Sequence, residues 1–250
     1  MIEREDVEGV AIVRLAHGKV NALDLELVTA ITATFTELAS APHRAVVLCG
    51  AGRALSAGVD LHRVVDGGPA YIRRFLPALV ESFEAVFNLG KPVVAAVNGH
   101  AIAGGCILVS ACDHRIMAAG RIGVTELLVG VPFPVAALEI LTYAVGAQRA
   151  RSAVLTGATY DPPEAAEMGM VDDVVAGEDL LASAVASANA MADAVPADTF
   201  GQTKRQLRRE SNERIQRRSL EEDDVIARLW EARVADGWIS AFMTRVTARG

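Results

Sequence analysis

Two short, wholly apolar runs constrain this chain more than any other feature: Ala45-Val46-Val47-Leu48-Cys49 and Val93-Val94-Ala95-Ala96-Val97. Neither alternates polar with apolar residues, so each predicts a strand of a buried sheet rather than one with a wet face. Both runs end in small residues. Gly50-Ala51-Gly52-Arg53 breaks the first, and a loop leads on through Ser56-Ala57-Gly58-Val59 to Asp60. Asn98-Gly99-His100-Ala101-Ile102-Ala103-Gly104-Gly105 follows the second.

The remaining pattern alternates strands with helices. Val7 to Leu15 reads as a strand pair turned at Glu8-Gly9, and Asp24 as the N-cap of an amphipathic helix running to about Ser40. A helix is expected from about Ala70 to Leu89 and another over Cys106 to Cys112. His114 to Ala118 and Ile122 to Val124 read as strands, Pro134 to Tyr143 and Gln148 to Leu155 as helices, and Val171 to Val175 as a buried strand. From about Gly177 onward only helices are expected. This alternation predicts an α/β core with mainly parallel pairing.

Of the 250 residues, 52% are hydrophobic, enough for a full core and against a disordered or fibrous class. The formal net charge of −7 argues against a nucleic-acid partner, which a basic face would serve. No apolar stretch approaches the roughly 20 residues of a membrane span. The charged start, Met1-Ile2-Glu3-Arg4-Glu5-Asp6, lacks a signal-peptide pattern, so a cytoplasmic protein is expected. Cys49, Cys106 and Cys112 are an odd count without C-x-x-C spacing and read as buried reduced thiols; the five scattered His offer no metal site.

Small residues let a ligand approach the backbone, and a helix start offers free N–H groups at the positive end of its dipole. Either glycine turn alone fits an ordinary strand-to-helix junction equally well. Together, and in this order, they do more. Gly50-Ala51-Gly52-Arg53-Ala54-Leu55-Ser56-Ala57-Gly58-Val59-Asp60-Leu61 resembles the first signature of the crotonase superfamily, the enoyl-CoA hydratase/isomerase family. Lys91-Pro92-Val93 through Ala103-Gly104-Gly105-Cys106 is similar to the second, and Asn21-Ala22-Leu23, Ala111-Cys112-Asp113 and Thr203-Lys204-Arg205-Gln206-Leu207 match in order.

The resemblance implies a crotonase-like spiral of ββα units over residues 1–195. It also implies a helical C-terminal region over 196–250 that trimerises and closes the CoA site, with trimers often pairing into hexamers. The substrate implied is an acyl-CoA thioester, with coenzyme A as part of the substrate and no separate cofactor. Two N–H groups, of Val59 and Gly104, are implied to bind the thioester oxygen. Removing a proton beside a thioester puts negative charge on that oxygen, and one fixed donor there is worth on the order of 10²–10³ in rate. Ala22, Ser56, Asp60 and Leu61 stand where the family contacts adenine and pantetheine. Trp230 and Phe242 resemble positions that close the CoA site, often from a neighbouring subunit, and Arg245 stands where several members have a Lys near the CoA phosphates. Each of these also suits a plain turn or a packed core.

The carboxylate count separates the reactions. The family's hydratases hold water between two glutamates. Here the first position is Ile107 and the second is Glu126, in Val124-Thr125-Glu126-Leu127. One glutamate moves a proton between two carbons without water, so the pattern resembles the family's Δ3,Δ2-enoyl-CoA isomerases. An apolar lining is expected to raise the Glu126 pKa. Glu139 is the other acidic candidate, with a structural role expected. The alternatives on the same residues are hydration, hydrolysis, decarboxylation or carbon–carbon bond formation, and a non-catalytic CoA-binding assembly protein. The stretch from Lys204 to Arg218 holds seven Lys or Arg against two Glu and reads as a helix with a solvated basic face.

Overall fold

A computed structural model of the chain describes residues 1–248. It opens with a hairpin of β1 (Ile2–Val7) and β2 (Val10–Leu15), turned at Glu8 and Gly9, both at positive φ. Helix α1 (Leu25–Ser40) follows, and the Asp24 side chain accepts from Leu27 N–H at 2.8 Å, satisfying one of its orphan donors.

Three ββα units then succeed one another. The first is β3 (Ala45–Gly50), β4 (Ala54–Ser56) and α2 (Leu61–Phe87). The second is β5 (Val93–Val97), β6 (His100–Ile102) and α3 (Gly104–Ser110). The third is β7 (His114–Met117), β8 (Ile122–Gly123) and α4 (Glu126–Val129). After them come α5 (Val135–Val145), α6 (Ala147–Thr156), β9 (Thr159–Tyr160), α7 (Pro162–Glu167) and β10 (Asp173–Val174). A 3₁₀ turn at Gly177–Asp179 leads into α8 (Leu180–Ala194), α9 (Ala197–Ala235) and α10 (Trp238–Thr247).

The units wind as a spiral because each adds one strand to each of two sheets. The larger sheet has the order β1-β2-β3-β5-β7-β10 and is parallel throughout except for β1 against β2. The smaller has the order β4-β6-β8-β9, with only β8 against β9 antiparallel. The period-2 alternation of the larger sheet explains its unbroken apolar runs. Val46, Leu48, Val93 and Ala95 face the main core with α1 and α2, whereas Val47, Cys49, Val94 and Ala96 face Leu180, Ala184 and Ala188 of α8. All three cysteines are buried free thiols.

The structure departs from the sequence reading in several places. Helix α2 begins at Leu61, not near Ala70, because Asp60 caps it by accepting from Arg63 N–H at 3.1 Å. The Gly67-Gly68-Pro69 stretch interrupts the helix rather than starting it, with Gly68 at φ 57°, ψ −151°. The strand read over Val171 to Val175 shrinks to Asp173–Val174, and both residues are exposed at the sheet edge. Val171 is buried, but Asp172 turns to Arg115, meeting it at 2.7 Å. Strands β4 and β9 and helices α4 and α7 are too short for a periodic signal.

Helix α9 lies back on α2 and α5 of its own chain. The solvated basic face expected from Lys204 to Arg218 is instead partly used inside the chain. Lys204 Nζ and Arg208 Nη2 meet the two oxygens of Asp113 at 2.6 and 2.8 Å, and the Arg208 guanidinium stacks 4.1 Å from the Phe87 ring centre. Burial pulls the Lys204 pKa down to about 8, with Asp113 opposing that fall. Such buried pairs fix the docking register more than they add stability. Ile215, Ile226 and Trp230 are buried along the same helix, at roughly 1.5–3 kcal/mol for each large apolar side chain. Residues 249 and 250, the end of the helical region expected over 196–250, lie outside the described residues. Among the described residues no single helix is long and apolar enough to cross a membrane.

Candidate active site

The two glycine turns interlock. Gly58 has φ +87°, and a Cβ there would lie 2.8 Å from Ile102 O and 2.9 Å from Ala103 Cβ. A Cβ on Gly105 would lie 2.5 Å from Ser56 O. Side chains at these positions cannot be accommodated without moving backbone. The Ser56 hydroxyl is buried; it donates to Asn21 O at 2.7 Å and accepts from Gly58 N–H at 3.1 Å, which sets the first turn.

The Val59 N–H is oriented by its neighbours. Leu23 N–H donates to Gly58 O at 2.8 Å, and Asp60 N–H donates to Leu23 O at 3.0 Å. Backbone groups alternate sides along an extended segment, so the Val59 N–H turns away from Leu23. Gly104 heads α3, where an N–H has no intrahelical partner. Among the described residues neither N–H donates to a protein acceptor. Ala103 enters α3 at φ 52°, ψ −121°, a strained conformation for alanine, and its N–H is tied to Gly123 O at 2.8 Å.

That last bond links the second unit to the third, which carries Glu126. Strand β8 pairs with β6 through Ile102 and Gly123, so α4 starts beside the glycine turn of α3. The Glu126 residue is only 7% exposed, and its Oε2 has no hydrogen-bond partner among the described residues. Burial pushes its pKa up to about 7, partly opposed by backbone hydrogen bonds of Glu126 and Thr125. No charged side chain contributes to this shift. The flanking residues Val124, Val129, Val131 and Phe133 are buried and apolar. The Cys106 thiol lies within electrostatic reach: burial first, and the Glu126 charge second, push it up to about 12.

The other acids are accounted for. Ile107 is fully buried in the main core and supplies no second carboxylate. Both oxygens of Glu139 are taken, by Arg214 Nε at 2.8 Å and Arg218 Nη1 at 2.7 Å. This fixes α5 to α9 and leaves Glu139 no free edge for proton transfer.

Ala22, Ser56, Val59, Asp60 and Leu61 share one strip, in which Val20 to Leu23 runs beside Ala57 to Asp60. Within it the Asp60 carboxylate is occupied as the α2 cap, and Leu61 packs partly buried on the core. The Gly104 turn adjoins this strip, where a Cβ on Gly104 would lie 2.7 Å from Leu23 Cδ1. Trp230, Phe242 and Arg245 form a second group on the C-terminal helices. Trp230 is 2% exposed and donates Nε1–H to Pro132 O at 3.0 Å, so it fastens α9 to the loop after α4. Arg245 is exposed, 5.6 Å from the Trp238 ring centre and 6.0 Å from that of Phe242.

Sequence reasoning missed Tyr71, whose hydroxyl accepts from Leu25 N–H at 3.0 Å and stacks its ring on Phe75. It also missed Trp238, packed on Gly130. A cavity of about 500 Å³ lies between α2, α9 and the Pro134 corner, walled by Ile72, Leu76, Val80, Pro134, Ile215 and Ile226, with Arg73, Glu81, Glu84, Asp223 and Asp224 also on its lining.

Comparison with known proteins bears on this geometry. A family model described as "Enoyl-CoA hydratase/isomerase" matches residues 5–240. Mitochondrial enoyl-CoA delta isomerase 1 of Mus musculus is 31% identical over 214 residues, covering 84% of this chain and 74% of the relative. A putative enoyl-CoA hydratase of Thermus thermophilus is 38% identical over 183 residues, covering 70% and 71%. The crystal structure of human mitochondrial delta3-delta2-enoyl-CoA isomerase superposes with a TM-score of 0.88 at 27% identity, over 99% of this chain and 97% of that one.

Proposed function

The chain belongs to the enoyl-CoA hydratase/isomerase family, and within it we propose that the protein shifts the double bond of a 3-enoyl-CoA to the 2-position. The thioester oxygen accepts from Val59 and Gly104 N–H. The Glu126 carboxylate takes a proton from C2, and the electron pair of that C–H bond delocalises onto the thioester oxygen through C1 and, through the C3–C4 double bond, onto C4, as a dienolate. Protonated Glu126 then returns the proton to C4, which leaves the double bond between C2 and C3 and restores the carboxylate. No water is consumed.

The observation that carries this reading is the solitary state of Glu126. It is buried, has an oxygen without a hydrogen-bond partner among the described residues and a pKa of about 7, and Ile107 stands in the motif position where hydration requires a second carboxylate. A pKa near neutrality suits a group that must both take and return a proton. The acyl tail is assigned to the 500 Å³ cavity, because its walls come from α2 and from the Pro134 corner that follows Glu126. A trimer is proposed as the working assembly, since Leu207, Leu220, Val225 and Leu229 leave α9 with exposed apolar side chains.

The second reading is hydration, favoured by the 38% identity to the Thermus thermophilus relative. Parallel incubation of the purified protein with 3-enoyl-CoA and 2-enoyl-CoA separates the two. Isomerisation is expected to dominate; rapid water addition to the 2-enoyl-CoA with no isomerisation would reverse the assignment.

A further inference from the structure

Among the described residues Glu126 has no side-chain partner to aim it, so its carboxyl is placed by backbone, that of Glu126 and Thr125 included. That backbone belongs to a helix of four residues, α4, far too short to hold itself together in water. Leu128 and Val129 N–H donate to Thr125 O at 3.0 and 3.2 Å, and the C-terminal end of the turn is closed on the Glu126 carbonyl by Gly130 N–H at 3.0 Å and Val131 N–H at 3.1 Å. What fixes those two amides fixes the base.

Both ends of that closing segment are gripped by tryptophans of the C-terminal helices. Gly130 stands at φ +92°, and a Cβ there would lie 2.4 Å from Trp238 Nε1 and 2.5 Å from its Cδ1. The indole therefore rests directly on the bare α-carbon. Two residues further, Pro132 O accepts from Trp230 Nε1–H at 3.0 Å. The tryptophans sit on either side of the corner at Asp236 and Gly237, one closing α9 and one opening α10. Trp238 is itself seated, its N–H donating to Asp236 Oδ1 at 3.0 Å and the Arg245 guanidinium lying over its ring.

We propose that Trp230 and Trp238 are positioning residues for Glu126, a clamp through which the C-terminal helices of the same chain hold the base-bearing turn at the thioester site. The proposal rests on Glu126 being the proton shuttle. The clamp does two things. It fixes the carboxyl to within the tolerance proton transfer needs, where a 1 Å misplacement can cost roughly 10²-fold. It also keeps the Val131 and Phe133 wall closed over the carboxyl, so loosening it admits water and lets the Glu126 pKa fall. Among the described residues the titratable side chain coupled to Glu126 is Cys106 of α3, held neutral by its high pKa, and the charged groups on the clamp are Arg245 over the Trp238 ring and Asp236, itself paired with Arg233.

The test is the pH profile of kcat/KM for 3-enoyl-CoA in three variants. Trp238→Ala, at a half-exposed position, removes one jaw; Trp230→Phe keeps the ring and deletes only the N–H to Pro132; Trp238→Phe restores a flat ring on Gly130. The expected result for the first two is a limb displaced below pH 7 toward the ordinary carboxylate range. Their kcat should fall roughly 10- to 100-fold at little change in KM, and Trp238→Phe should recover most of the loss. A limb that stays near pH 7 with kcat unchanged in folded Trp238→Ala and Trp230→Phe overturns the clamp. If Trp238→Ala does not fold, Trp230→Phe decides alone. The shuttle assignment fails separately, on Glu126→Gln: loss of activity there with no effect of the tryptophans sinks only the clamp, and full activity there sinks both.

Discussion

The carbonyl oxygen of Ser56 fills the space that a Cβ on Gly105 would need, at 2.5 Å. The first and second ββα units are locked at this point, and the two proposed oxyanion donors stand close by in sequence, Val59 three residues after Ser56 and Gly104 immediately before Gly105. Donor geometry is therefore a property of how two turns pack, rather than of any charged residue.

Gly105→Ala should force the turns apart. A fixed donor is worth on the order of 10²–10³, so kcat on a 3-enoyl-CoA should drop by about that factor. Steady-state kinetics with circular dichroism as a fold control checks this; a folded variant with unchanged kcat contradicts the interlock.

The pH dependence follows from Glu126. As a base it must be ionised, so kcat/KM should rise with pH through a limb near 7 and then level. The same shift acts on stability. The unfolded chain releases this proton near the ordinary glutamate value of 4.5 and the folded chain near 7, so stability is lost as pH rises between them, by on the order of 3 kcal/mol. Glu126→Gln should lack that loss. Urea unfolding at pH 5 and pH 8 should show the variant gaining on the parent at the higher pH; parallel curves count against the buried carboxyl.

Glu139 should separate stability from activity. Glu139→Gln removes the charge that Arg214 and Arg218 share, while both guanidinia remain partly open to water. The expected cost is about 1–3 kcal/mol in unfolding free energy, with kcat of the folded protein intact. A large loss of kcat in a stable variant would move the proton shuttle to Glu139.

Cavity volume should set chain length. Val80→Trp intrudes on the space between α2 and α9. Turnover of long 3-enoyl-CoA chains should fall while short chains are spared, read from kcat/KM across a chain-length series. An unchanged length profile would place the acyl tail elsewhere.

Much of this architecture is legible in the sequence, and the reasons are local. The β3 and β5 runs, the Asp24 cap and the two glycine turns announce themselves because each is a short-range requirement of backbone geometry. The start of α2 was misread because Gly67-Gly68-Pro69 looks like a boundary, and only the packing of Leu61 to Val64 on the core keeps the helix going on its far side. Glu126 stands out by motif position, but the structural role of Glu139 rests on Arg214 and Arg218, 75 and 79 residues away, which take both of its oxygens. Trp230 was read as a wall of the CoA site. Its bond to Pro132 spans 98 residues, and no local pattern encodes that distance.

The most direct measurement is the turnover of 3-enoyl-CoA by Glu126→Gln, with acyl-CoA affinity determined on the same preparation. Gln keeps the shape and removes the base. General acid–base groups contribute typically 10²–10⁴ in rate, so isomerisation should fall by that factor with affinity little changed. Full turnover by this variant on every enoyl-CoA tried would contradict Glu126 as the proton shuttle.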